Sequence, residues 1–399
     1  MGLSGTAERG SQMSDATPLF ADVVGRLVRH EDLPADLTEQ VLTTILSGAA
    51  TDAQIAGFAV ALRAKGETPT ELAALVRTML RFAEPVPLAD TASAIDTCGT
   101  GGDRAGTVNV STMAALVAAG AGARVAKHGN RAASSQCGSA DVLEALGVVI
   151  DLAPEGVARC IDAAGIGFCF APRFHPALRF AGAPRRELGT PTTFNFLGPL
   201  ANPAGVARQS VGVSDPAMAE RVIGALAEVG KTHALVFYGH DGLDELTTTT
   251  TSTVYELRDG VVRRFEVDPT DLGLARVERA ALLGGDAPAN AAITREVLSG
   301  APGPVRDIVV LNAAAALVVA DLAEDLAAGV VLARGVIDDG RARETLDAFV
   351  AASGRERARE QEQHGGQVPD PGGEQAPDPG GEQAPDPGGV RAPDREAAG

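Results

Sequence analysis

The chain has 399 residues, 45% hydrophobic and 22% charged, and carries a formal net charge of −18. That length buries a large core and suggests two domains. The acidic balance argues against nucleic acid as a partner, although a local cradle or a metal can still hold an anionic small molecule.

No N-terminal apolar run has the form of a signal peptide. The longest apolar stretch, Ile308 to Leu322, is interrupted by Asn312 and Asp321 and is too short for a bilayer, so it is expected as a buried helix. Cys98, Cys137, Cys160 and Cys169 form no C-x-x-C pair and are expected as free thiols. The expected location is cytoplasmic, with no membrane partner.

In chain order, residues 1–17 are rich in Gly, Ser and Thr and are expected to be loose. Residues 18–87 read as a helical domain. Thr51 and Gln54 form a candidate capping box ahead of Ile55, Phe58, Ala59 and Leu62. Thr68, Pro69 and Glu71 form a second cap with proline at the first helical position. Behind it Leu72, Leu75, Val76, Met79 and Leu80 recur at helical spacing along one apolar face. Glu84-Pro85-Val86-Pro87 reads as the linker out.

Residues 88–353 read as an α/β domain with a mainly parallel central sheet, because short β-branched runs alternate with Ala-rich helices. Candidate strands are Ala94-Ile95, Val125-Ala126, Val148–Ile150, Phe168–Phe170, Val211–Val213 and Ala234–Tyr238, with helices such as 155–164 and 217–228 between them. Helices near 175–190 are expected to join the helical domain. Arg258-Asp259-Gly260 reads as a hairpin turn between Val254–Leu257 and Val261–Val267. Helices from about 304 to 353 close the fold. Residues 354–399, with three near-copies of Pro-Asp-Pro-Gly-Gly between Pro369 and Gly389, lack apolar periodicity and are expected to be a disordered tail.

The chemistry concentrates in Asp96 to Gly147. Gly99-Thr100-Gly101-Gly102-Asp103 follows the first strand, and its glycines let backbone N–H groups approach a ligand. Asn109, Ser111 and Thr112 open the next helix, whose N-terminus attracts anions. A second turn, after Arg124-Val125-Ala126, carries Lys127, His128, Gly129, Asn130, Arg131, Ser134, Ser135, Gly138 and Ser139, a phosphate cradle by composition. In an open parallel sheet both turns face one crevice at the strands' carboxyl edge. Asp241-Gly242-Leu243-Asp244-Glu245 follows the strand Ala234–Tyr238 and suits a hard cation. Arg185 and Arg186 could clamp a carboxylate. Each feature also has a plain reading: an ordinary turn, a solvated acidic loop, a surface basic pair. His128 reads as a structural donor rather than a general base, and His175-Pro176-Ala177 as a helix start rather than a metal ligand.

The motifs GTGGD, NVST, KHGNR, SS..GSADVLEALG, HPA, R..LGTPTTFNFLGPLANP and DGLDEL stand in this order, and over residues 18–353 the chain resembles anthranilate phosphoribosyltransferases. The resemblance implies a homodimer that makes N-(5-phosphoribosyl)anthranilate and pyrophosphate from phosphoribosyl pyrophosphate and anthranilate in tryptophan biosynthesis. By motif, Gly99, Gly102, Asp103, Thr107, Asn109, Val110, Ser111 and Thr112 would line the diphosphate and ribose site. Lys127, His128, Gly129, Asn130, Arg131, Ala132, Ala133, Ser134, Ser135 and Ser139 would hold phosphate groups, Lys127 also as an electrostatic catalyst. Ser111, Asp244 and Glu245 would bind Mg²⁺, two ions per subunit. Gly99, Asn130 and Arg185 would meet anthranilate. The chain departs from the family at Thr247–Thr251, where many members carry a Ser-x-x-Gly pattern. Two alternatives remain at this point: a pyrimidine nucleoside phosphorylase-like enzyme, and a non-catalytic nucleic-acid-binding paralogue.

Overall fold

The structure, a computed structural model, describes residues 4–132 and 136–365. Four helices come first: α1 (Ser4–Val28), α2 (Ala35–Leu46), α3 (Asp52–Lys65) and α4 (Pro69–Arg81). Both capping boxes form as read. Thr51 and Thr68 each accept the backbone N–H three residues on, while Gln54 and Glu71 reach back to the cap N–H groups. The helix α1 begins at Ser4, so the expectation of a loose segment up to residue 17 is corrected. Ala16, Phe20, Val23 and Leu27 are buried at helical spacing, and a helix docked by such a stripe extends beyond it at little further cost.

The remaining elements are β1 (Ala94–Gly99), α5 (Val110–Gly120), β2 (Arg124–Gly129), α6 (Ser139–Leu146), α7 (Pro154–Ala164), β3 (Ile166–Phe170), α8 (Ala171–Phe174), α9 (Gly182–Leu188), α10 (Phe194–Leu200), β4 (Arg208–Gly212), α11 (Pro216–Glu228), β5 (His233–Gly239), β6 (Ser252–Arg258), β7 (Val261–Val267), α12 (Ala287–Leu298), α13 (Pro304–Val319), α14 (Leu326–Asp338) and α15 (Arg341–Gly365). The seven strands form one sheet in the order β3-β2-β1-β4-β5-β6-β7. The first five run parallel, and the hairpin β6–β7 adds an antiparallel edge.

Two apolar clusters divide at the sheet. One joins α5, α13 and α14 to one face, with α13 buried along almost its whole length. The other joins α1–α4, α10 and α11 to the opposite face through Cys98, Val211, Val213, Ala234 and Val236. Helix α9 packs on α3, and the 3-10 turn Pro176–Ala181 packs on α2.

Two further expectations are corrected. Val148–Ile150 is not a strand. Gly147 ends α6 in the left-handed region, Val148 and Ile150 are buried, and the Val149 N–H donates to Ser353 Oγ at 3.1 Å rather than to a ladder. The C-terminal helix does not stop near 353. It continues to Gly365, with Ala352 and Ser353 buried and Glu356 paired to Arg159 at 2.6 Å. The Pro-Asp-Pro-Gly-Gly repeats lie outside the described residues, as do Ala133, Ser134 and Ser135. None of the four cysteines is in a disulfide, and all are buried. Among the described residues no helix is long and apolar enough to cross a membrane.

Candidate active site

Strands β1 and β4 are neighbours although β2 and β3 separate them in sequence, so the chain leaves β1 towards one edge of the sheet and returns on the other side. Such a reversal opens a crevice at the carboxyl ends of the two strands. Those ends are Gly99 and Gly212, paired in register. Asp244, from the loop after β5, fills the crevice. A Cβ on Gly99 would lie 2.4 Å from Asp244 Oδ2, and one on Gly212 only 1.7 Å from the Asp244 backbone oxygen. Glycine at both strand ends is what lets the acidic loop reach the glycine-rich loop.

The first loop is held from several sides. The Gly101 N–H donates to Asp244 Oδ2 at 2.7 Å. The Thr100 N–H donates to Gly212 O at 2.9 Å, and Ser214 Oγ to Gly101 O at 2.8 Å. Gly101 and Gly102 take positive φ, the conformation the sequence pattern asks for. Asp103 accepts the Ala105 N–H at 3.1 Å.

Strand β2 runs on through Lys127 and His128 to Gly129. Alternation along a strand sends these two side chains to opposite faces. Lys127 is buried and donates to Thr97 O at 2.7 Å and to Ser111 Oγ at 3.4 Å, which brings it beside the start of α5. Burial lowers its pKa, opposed by the charge of Asp96. His128 turns the other way, against the His175 ring at 5.1 Å, with Nδ1 at 2.9 Å from Gly198 O. Burial pulls its pKa down to about 4, so it is a neutral structural donor. The His128 side chain therefore stands outside the cradle. His175 Nε2 lies 3.0 Å from Ala201 O.

Acidic groups gather beside Lys127. Burial, then the charge of Asp103, pushes the Asp244 carboxyl up to about 7. Burial, then Asp244, raises Glu245 well above the usual carboxylate range, opposed by Lys127 and by the Ser111 N–H that it accepts. Glycine loop, Lys127 and acidic doublet thus meet at one place. Among the described residues no three His, Cys, Asp or Glu side chains converge tightly enough to hold a metal by themselves. Carboxylates of this kind, Asp244 buried and Glu245 half-buried, fit a hard divalent ion that draws its other oxygens from water and substrate phosphates. Asp241 is not part of this group, because Thr247 and Thr249 donate to its Oδ2 at 2.8 and 2.5 Å. The threonine run that departs from the family pattern satisfies this neighbouring carboxylate.

The second loop is shaped by Asp141, which the sequence reading misses. It accepts the N–H groups of Ala132 at 3.0 Å and Gly138 at 2.9 Å and pairs with Arg131 at 2.9 Å. Its position three residues into the helix after Gly138 is a readable cap signal. Arg131 is drawn outwards, also pairing with Glu144 at 2.8 Å, so its guanidinium is spent on α6. Ser139 Oγ donates to Asn130 O at 3.2 Å, and Gly129 has no room for a Cβ against Ser139 and Phe168. Asn109 ties the start of α5 to Cys137 O at 3.1 Å and accepts from Asn290 at 2.9 Å. Thr107 bridges to Leu283, Val110 is buried, and the Thr112 hydroxyl is buried without a partner among the described residues.

Asp96 is the second missed residue. It is fully buried in β1, accepts the His128 N–H at 3.0 Å, and lies 3.5 Å from Gln209 Nε2. A charge inside an apolar strand was its signal. Arg185, on α9, is half-buried, has no ion pair among the described residues, and sits 5.7 Å from the Phe194 ring centre. Burial lowers its pKa. An unpaired guanidinium of this kind fits a planar carboxylate.

Two family profiles match the chain: a glycosyl transferase family helical bundle domain over residues 21–83 and a glycosyl transferase family a/b domain over residues 91–343. The anthranilate phosphoribosyltransferase of a Nocardioides species is 56% identical over 341 residues, covering 84% of this chain and 99% of the relative. That of Streptomyces griseus is 55% identical over 345 residues, covering 85% and 97%. Among solved structures, the Thermus thermophilus anthranilate phosphoribosyltransferase matches with a TM-score of 0.79 and 41% identity, covering 83% of this chain and 99% of that one. The Saccharomyces cerevisiae enzyme in complex with phosphoribosyl pyrophosphate and Mg matches with a TM-score of 0.78 and 28% identity, covering 86% and 99%.

Proposed function

The chain belongs to the anthranilate phosphoribosyltransferase family, and on that premise we propose that it transfers the 5-phosphoribosyl group of phosphoribosyl pyrophosphate to the amine of anthranilate in tryptophan biosynthesis. Pyrophosphate is the leaving group. The phosphorylase and nucleic-acid alternatives are set aside by that membership. One observation carries the reading to this site: Asp244 sits against Gly99 and Gly212 and accepts the Gly101 N–H, with Glu245 and Lys127 beside it.

Anthranilate's aryl amine is nucleophilic while neutral, so no strong base is needed. The neutral, inward-facing His128 is consistent with that. The demanding step is breaking the bond from C1 to pyrophosphate. Lys127 supplies a fixed positive charge at the start of α5, and the glycine-loop N–H groups supply oriented donors. Asp244, Glu245 and Ser111 would hold Mg²⁺, two ions per subunit, which when bound neutralises charge developing on the leaving group. Arg185 would take the anthranilate carboxylate through two parallel hydrogen bonds. Asn130 and Gly99 complete the acceptor side, and the remaining cradle residues the donor side. The unit is a homodimer in the cytoplasm, a reading supported by exposed Val28 and Val60 on the adjoining helices α1 and α3 and by four cysteines that form no disulfide.

The test is the loss of anthranilate fluorescence on mixing with phosphoribosyl pyrophosphate, Mg²⁺ and the protein. Wild type should consume anthranilate, and Asp244→Ala should lower turnover at least about 100-fold with an unchanged melting curve. Full activity in that variant refutes the role of Asp244.

A further inference from the structure

Glu67 lies far from the acidic doublet in sequence, in the short turn between α3 and α4. Gly66 takes a φ of +89°, and the turn aims the Glu67 side chain inwards, where none of it is exposed. A buried carboxylate needs partners, and Glu67 has three from separate elements. Arg63 Nη1 donates to its Oε2 at 3.2 Å, and Arg221 Nη1 lies 3.7 Å from the same oxygen. Thr193 Oγ1 donates to Oε1 at 2.5 Å. Arg63 is itself fixed, since it bonds the Asp215 carboxylate at the cap of α11 and lies 5.1 Å from the Phe196 ring centre.

Thr193 immediately precedes α10, and the first residue of α10 is Phe194. The ring of Phe194 is the surface on which Arg185 rests, 5.7 Å from ring centre to guanidinium carbon. Helix α9, which carries Arg185, packs on α3, the helix that Glu67 follows. The contacts therefore run from Glu67 to Thr193, to Phe194, to Arg185. We propose that Glu67 is a positioning residue for the acceptor substrate: its bond to Thr193 fixes Phe194 and so aims the Arg185 guanidinium at the acceptor's carboxylate. This rests on the reading of Arg185 given above. The contacts through Thr193 end at Arg185, on the acceptor side, and none of them is to Asp244, Glu245 or Lys127.

The experiment measures Michaelis constants for both substrates in Thr193→Val, Thr193→Ser, Glu67→Gln and Arg185→Ala. Thr193→Val leaves every charge in place, so it remains informative if Glu67→Gln folds poorly. The expected result is a rise of about tenfold in the anthranilate constant for Thr193→Val and Glu67→Gln, as for loss of one charge-assisted hydrogen bond. The phosphoribosyl pyrophosphate constant should stay within about twofold of wild type on the same reasoning. Thr193→Ser, which keeps the hydroxyl, should restore wild-type behaviour. Constants that rise together, that do not move, or that Thr193→Ser fails to restore overturn the relay. If Arg185→Ala alone raises the anthranilate constant, the relay is wrong and the Arg185 reading stands. If Arg185→Ala leaves that constant unchanged, the Arg185 reading fails and the relay with it.

Discussion

Gly212→Ala is the sharpest perturbation of the crevice. The added Cβ would lie 1.7 Å from the Asp244 backbone oxygen, against a floor of 3.0 Å for real Cβ contacts, so about 1.3 Å must be found. Gly212 cannot supply it. The residue is paired in register with Gly99 on one side and Phe237 on the other, and its carbonyl accepts the Thr100 N–H. The Asp244 segment must move instead, and a shift above 1 Å breaks its 2.7 Å bond to the Gly101 N–H. Misplacement of that size can cost about 100-fold in rate, and overpacking about 1–3 kcal/mol in stability. Gly99→Ala meets only the end of the Asp244 side chain, at 2.4 Å, so it should lose similar activity with less stability. Gly198→Ala, with no atom within 4 Å of the new carbon, is the control. The assay is turnover at saturating substrates across a Mg²⁺ series, with thermal melts alongside. A Gly212→Ala enzyme with wild-type turnover and wild-type Mg²⁺ requirement would refute the seating of Asp244.

Two further outcomes follow from buried charge. His128 and His175 have folded pKa values of about 4 and about 3, below the ordinary histidine value. The unfolded chain therefore binds more protons in between, so stability is full above about pH 6.5 and falls as the pH drops towards 4. For His128 alone the loss from pH 7 to pH 5 is about 2 kcal/mol. Urea midpoints should show a smaller drop over that range for His128→Asn than for wild type, and equal drops would disprove the assignment. Lys127→Met should lose at least about 100-fold in turnover and leave Asp96 without its main opposing charge. Its stability deficit should be about 3 kcal/mol at pH 8 and shrink as the pH falls, because burial raises the Asp96 pKa and protonation removes its uncompensated charge. Adding Asp96→Asn should restore stability but not turnover. A deficit that ignores pH would count against the Asp96–Lys127 coupling.

The five parallel strands were legible from short runs with apolar or β-branched residues at or beside each strand, and the hairpin from its Asp-Gly turn. The two capping boxes were legible because they depend on residues three apart. Val148–Ile150 misled because burial alone does not make a strand. Those residues bury themselves behind the Gly147 cap and give a backbone N–H to Ser353, far along the chain. Helix α12 lies where the reading names no element, although Asp286 caps it by accepting the Ala289 N–H. The end of α15 was missed because Arg159, which pairs with Glu356, is remote in sequence.

At the site, residue type was legible and direction was not. Lys127, His128 and Arg131 look equivalent in the motif, yet strand alternation turns His128 away from Lys127, and Asp141 with Glu144 pulls Arg131 outwards. Asp96 shows the complementary limit. A carboxylate among apolar neighbours signals that a partner exists, but the partner is supplied by another element, so spacing cannot name it. Glycine behaves differently. Gly99 and Gly212 end adjacent parallel strands, and a glycine in that position records the close approach of some other backbone even when the sequence does not say which. The structure supplies the identity, Asp244, and that one contact ties the acidic loop to the glycine-rich loop across 143 residues.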